Sequence, residues 1–162
     1  MQSLDLTRIN AHAKYIVWQT KDEYLFETEH GILYSVSFDE ECNFNFPAYW
    51  FNLTNLSQKK SPGDAKIEQT VICIIEDFFR QNPDVLLYMC STANEQQAMR
   101  SRLFLRWFHG NEQQQAYYIK TAIVKGEGLS EYVAIILPRS HPQFRIIIQH
   151  FNNQVNLFND NK

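Results

Sequence analysis

The chain has 162 residues, with 15 Lys and Arg against 18 Asp and Glu, a formal net charge of −3. That length suits a single domain whose core needs no disulfide or metal staple. The charge balance excludes a protein that holds nucleic acid by bulk charge. With 12 Phe, 8 Tyr and 3 Trp the chain is 14% aromatic, which excludes disorder for its body, and no apolar run approaches the ~20 residues of a membrane helix.

The opening residues 1–8 carry neither a basic stretch nor an apolar one, so a cytoplasmic location is expected. Residues 1–13 show no packing pattern and are expected to fray. Tyr15 to Trp18 and Tyr24 to Thr28 then form two short apolar runs, separated by a polar turn at Thr20 to Glu23 and closed by His30-Gly31. Tyr34, Val36 and Phe38 fall two apart with Ser35 and Ser37 between them, the period of a half-buried strand. Asp39-Glu40-Glu41 reads as a solvated turn. Tyr49, Phe51 and Leu53 alternate again, and the triplets Asn52-Leu53-Thr54 and Asn55-Leu56-Ser57 read as the end of that strand and its turn. The first third is thus an antiparallel meander.

Ser61-Pro62-Gly63 breaks the chain, and Asp64 is placed to cap a helix. Ile67, Val71, Ile74, Ile75, Phe78 and Phe79 recur at helical spacing, and Pro83 stops the helix after Asn82. Val85 to Cys90 is a six-residue apolar run, short for a helix and suited to a central strand. Thr92 and Glu95 have capping-box spacing and open a second main helix that stops at Gly110. After the polar residues 111–115, Tyr117 to Val124 and Tyr132 to Leu137 read as a hairpin turned by Lys125-Gly126-Glu127-Gly128. Ser140-His141-Pro142-Gln143 has the form of a helix cap with Pro in the first turn. Phe144, Ile147, Ile148 and Phe151 keep helical period, which favours a C-terminal helix over the strand that Ile146-Ile147-Ile148 could also form. Residues 153–162 hold little that can pack and are expected to fray. Strands, helix, strand, helix, hairpin and helix in that order make an α+β fold with a largely antiparallel sheet in a single domain, residues 1–162.

Catalytic constellations are not recognisable. The three cysteines, Cys42, Cys73 and Cys90, have no disulfide or zinc spacing, and the five histidines make no ligand pair. Cys73, within an apolar run, reads as a small core hydrophobe. Cys90 ends a strand before a helix, where the helix dipole could favour its thiolate. The position six residues on, where a phosphatase-type loop needs Arg, is Gln96, and no His can be placed beside it. Gly126 and Gly128 fit a hairpin turn better than an acetyl-CoA loop. No metal site and no cofactor is expected.

The second main helix carries the informative residues. Leu103, Phe104, Trp107 and Phe108 cluster on one face with Arg100 in its middle, while Arg102 and Arg106 share another side. Arg on an apolar face must be paired inside the fold or must meet a ligand. In the second case Arg100 lines a pocket for an anionic molecule, with Tyr88, Cys90 or Trp107 as its wall and Arg102 and Arg106 nearby.

From Asp64 through Cys90-Ser91-Thr92 to Arg100-Ser101-Arg102-Leu103-Phe104, the chain resembles a family of small bacterial proteins of unknown function. The resemblance would run from about Tyr15 to Phe151. It implies a compact cytosolic domain and no particular activity, with Arg100 and Arg102 as family features of unassigned role.

The expectation is therefore a non-enzymatic cytosolic binding or protein-interaction module. Its aromatic surplus points to a protein partner or a homodimer, ahead of nucleic acid and without a membrane. The alternative is an enzyme or binding domain for a phosphate-bearing or other anionic small molecule using Arg100, Arg102 and Arg106. A third reading has Arg102, Arg106 and Lys120 meeting nucleic acid locally.

Overall fold

The computed structural model describes residues 1–91, 113–125 and 130–160. The expected helix over 92–109, with Arg100, Arg102, Arg106 and Trp107, and the turn at Gly126 to Gly128 lie outside the described residues. Among those described are three helices of seven residues or more, α1 (Leu6–His12), α2 (Ala65–Gln81) and α4 (Phe144–Asp160), and a single helical turn, α3 (Gln113–Ala116). Seven strands, β1 (Trp18–Gln19), β2 (Tyr24–Glu27), β3 (Leu33–Glu40), β4 (Ala48–Asn55), β5 (Val85–Ser91), β6 (Tyr117–Lys125) and β7 (Ser130–Pro138), form a mixed, mostly antiparallel sheet in the order β1-β2-β3-β4-β5-β7-β6. The fold is α+β. The parallel pair is β4–β5, which demands a long crossover, and residues 56–84 with α2 supply it.

The chain forms two compact units. The first comprises Met1–Asp39 and Phe51–Pro83. In it β2 pairs antiparallel with β1 and with β3, in a register that sets Tyr24 opposite Val36 and Phe26 opposite Tyr34. The stripe of α2 is buried as its spacing requires, from Ile67 to Phe79, and Phe78 stacks on Phe38 at 4.6 Å between ring centroids. Asp64 caps α2, its carboxylate accepting from Lys66 N at 2.8 Å, and Asn82 closes it, its N–H donating to Phe78 O at 2.7 Å. The strand end at Asn55 turns as expected: the Asn55 side chain accepts from the N–H groups of Ser57 and Gln58, and Gln58 takes a φ of 54°.

One element of this unit carries no sequence signal. α1 buries only Ile9 within its seven residues, too little periodicity to read. It is held by polar contacts instead. Asp5 caps it and donates its N–H to Asp77 Oδ2 at 2.7 Å, the backbone of Gln2 pairs with the Asn82 amide, and Lys14 N and His12 O both bond Gln69.

The second unit comprises Glu40–Trp50 and Asp84–Lys162. Here β7 pairs antiparallel with both β5 and β6. Successive residues of β5 point to opposite faces, yet Val85, Leu86, Leu87 and Tyr88 are all buried, as a central strand requires. On one face α4 closes a core of Phe46, Ala48, Val85, Leu87, Ile135, Leu137, Ile147 and Phe151. The helix reading of the C-terminal segment is correct, but its cap is not Ser140. His141 Nδ1 accepts from Gln143 N at 3.1 Å and His141 O from Phe144 N at 3.1 Å, so His141 holds the turn that leads into α4. No helix among the described residues is long and apolar enough to cross a membrane.

Candidate functional site

The second unit contains an apolar cavity of about 300 Å³ at one end of its strands. Its floor is sheet. Leu87 and Met89 of β5 point to the α4 face by strand alternation, Val133 lies opposite Met89 on β7, and Val124 lies opposite Glu131 in the β6–β7 pair. One wall is the α4 face bearing Phe151, Gln154 and Val155, which three- and four-residue helical spacing brings together. The other wall is aromatic, Phe44 from the connection between β3 and β4 and Trp50 from β4. Among the described residues two lining side chains are polar, Glu131 and Gln154.

The aromatic wall is fixed from behind. Trp50 Nε1 donates to Glu41 Oε2 at 2.6 Å, and Glu41 Oε1 accepts from Asn43 N at 3.1 Å. The indole N–H favours the charged carboxylate and holds Glu41 below its usual 4.5 against the opposing effect of burial. Glu41 also closes the connection by donating its N–H to Ala48 O at 2.8 Å. The expected solvated turn is corrected in part: Asp39 and Glu40 end β3, and two of the three carboxylates have specific partners, Glu41 in Trp50 and Asp39 in Asn52, whose Nδ2 donates to Asp39 Oδ2 at 2.7 Å. Phe44 is backed by His150 of α4, whose ring meets it edge to face at 4.7 Å and meets Phe46 at 5.6 Å. His150 Nε2 is buried with no hydrogen-bond partner among the described residues.

The residues singled out in the sequence fall elsewhere. Tyr88 is buried on the β5 face opposite Leu87 and Met89, so it does not line the cavity. Cys90 lies in β5 opposite Tyr132, and its side chain lies outside the described residues, as do Arg100, Arg102, Arg106 and Trp107. Lys120 is partly buried and donates from Nζ to Asn152 Oδ1 at 2.6 Å. Cys73 is buried, and that burial pushes its thiol pKa up. Among the described residues no three His, Cys, Asp or Glu side chains are grouped as a metal site would need.

Residues 63–153 match the model of a family of unknown function, DUF6169. The chain belongs to this family. The family segment runs from the start of α2 to Asn153 and carries the cavity floor and Phe151, whereas Glu41, Phe44, Trp50, Gln154 and Val155 lie outside it. It is also shorter than the span from Tyr15 that the resemblance implied. No curated protein matches the chain.

Sequence reasoning missed the cavity because its liners come from four separated stretches, brought together by the parallel β4–β5 pair and by the docking of α4. The usable signal was Trp50 nine residues after an acidic cluster, which alone does not announce a hydrogen bond.

Proposed function

We propose that this protein is a non-catalytic binding module whose cavity takes a small molecule with an apolar body and a cationic or hydrogen-bond-donating head. The observation that carries this is the lining: among the described residues, eight apolar side chains with Glu131 and Gln154 as the polar exceptions. Its volume lies at the lower end of the roughly 300–1,000 Å³ of small-molecule sites. The faces of Trp50 and Phe44 attract a cation, and a carboxylate at Glu131 would pair with it. No cation lines the cavity among the described residues, so the lining favours an ammonium over a carboxylate or phosphate. The free thiols Cys42 and Cys73 fit a reducing, cytosolic setting.

The test is calorimetric titration of the full chain with n-hexylammonium, 1-hexanol and hexanoate. The amine is expected to bind best and hexanoate worst. Val155→Trp, which fills the cavity from the helix side, should abolish binding, and Glu131→Gln should bring the amine down to the alcohol. Tightest binding by hexanoate, or binding that survives Val155→Trp, would overturn the reading.

A further inference from the structure

We propose that the outer edge of β6 is a pairing surface for a second copy of this chain, the two β6 strands running antiparallel about a two-fold axis at Thr121. This stands apart from the cavity and does not depend on it.

Among the described residues β6 is the last strand in the sheet order and has β7 on one side only. Its register with β7 is unbroken over nine residues, from Tyr117 opposite Pro138 to Lys125 opposite Ser130. Three observations fix which of its backbone groups face outward. Pro138 has no N–H, so Tyr117 and Pro138 cannot be a pair that exchanges hydrogen bonds. The adjoining pair does bond, Arg139 N donating to Ala116 O at 2.9 Å. Ile123 O accepts from the Asn159 side chain at 3.1 Å, outside the ladder. Tyr118, Lys120, Ala122 and Val124 therefore bond β7, and Ile119, Thr121 and Ile123 present their N–H and C=O groups to the side away from β7.

Natural edges are blunted by proline, bulges or a projecting lysine. β6 has no proline and no bulge, and its Lys120 is drawn toward α4 by Asn152. The Ile123 carbonyl that accepts from Asn159 keeps a second lone pair. The edge is also self-complementary. A two-fold at Thr121 sets Thr121 against Thr121 of the second copy and Ile119 against its Ile123, twice over. These are β-branched cross-strand pairs with no like-charge clash, and they cover Ile123, which is 53% exposed. An area from one strand pair falls below the ~1,200 Å² of stable complexes, so association should depend on concentration.

The experiment is sedimentation velocity of the full chain from micromolar to millimolar concentration, with hydrogen exchange on the same samples. The wild type should shift from monomer to dimer, and the amides of Ile119, Thr121 and Ile123 should gain protection as it does while those of Tyr118 and Lys120 do not change. Thr121→Pro removes an N–H that β7 does not use, and Ile123→Lys places a charge on the edge; each should weaken the dimer at least about ten-fold. Ile146→Lys, on an exposed position of α4, should leave it intact. A monomer at every concentration, a dimer indifferent to Thr121→Pro and Ile123→Lys, or protection gained elsewhere with none at these three amides would overturn the proposal. Protection appearing only with an added extended peptide would do the same.

Discussion

Glu41 and Trp50, nine residues apart and joined by the connection between β3 and β4, meet through a 2.6 Å hydrogen bond from the indole N–H to the carboxylate. Each side gains. The carboxylate is stabilised in its charged form, and the indole is held against the cavity that it walls.

Because the folded-state pKa of Glu41 lies below 4.5, its contribution to stability is fully present above 4.5 and is lost as pH falls through the lower folded value. Acidification should therefore change the emission of Trp50, read as the difference between the wild type and Trp50→Phe. Glu41→Gln should remove that titration. Glu41→Ala should cost about 1–2 kcal/mol, or several degrees in melting temperature at roughly 2–4 °C per kcal/mol for a chain of this size. An acid transition in Trp50 that persists in Glu41→Gln would show that another group controls the indole.

Asp77 is the anchor of α1. It is fully buried, accepts from Asp5 N and, at 2.7 Å, from Arg80 Nη1. Arg80 stays 43% exposed and can return to water, so the larger loss in Asp77→Ala is the buried acceptor of Asp5. A cost of about 2 kcal/mol is expected. The effect should be local, with faster amide exchange at Asp5 and Ile9 and new proteolysis before Tyr15. Uniform acceleration across α2 instead would mean that Asp77 supports the helix core.

The elements legible in the sequence are those whose own residues carry the pattern. α2 shows its stripe from Ile67 to Phe79, β3 shows Tyr34, Val36 and Phe38, and α4 shows Phe144, Ile147 and Phe151 despite three consecutive isoleucines. What escaped depends on partners distant in sequence. α1 is held by Asp77, Asn82 and Gln69, which no local periodicity reveals. Ser140 has the composition of a cap, but it is the His141 imidazole that accepts an N–H just before the helix, that of Gln143. The cavity needs Trp50, Met89, Val133 and Val155 at once, and only the strand order brings them together.

Thiol reactivity should separate the cysteines. Cys42 is exposed, while Cys73 is buried and its burial disfavours the thiolate that reacts. In a Cys90→Ser background, one thiol should react rapidly with a disulfide reagent in the folded protein and the second only on unfolding. Two rapid native reactions would show that α2 opens far more readily than its buried stripe allows.

His150 offers a gain rather than a loss. Its Nε2 is buried with no hydrogen-bond partner among the described residues, between the rings of Phe44 and Phe46. An unmet buried polar atom costs about 1–3 kcal/mol, whereas an aromatic ring at the same place keeps both edge-to-face contacts. His150→Phe should therefore raise the melting temperature by a few degrees, at roughly 2–4 °C per kcal/mol. His150→Ala should lower it, since it removes the packing together with the nitrogen. Scanning calorimetry of the two variants beside the wild type decides the matter. A fall with Phe as large as the fall with Ala would mean that the imidazole nitrogen is bonded in solution, and that α4 depends on that bond to seat Phe44 at the cavity.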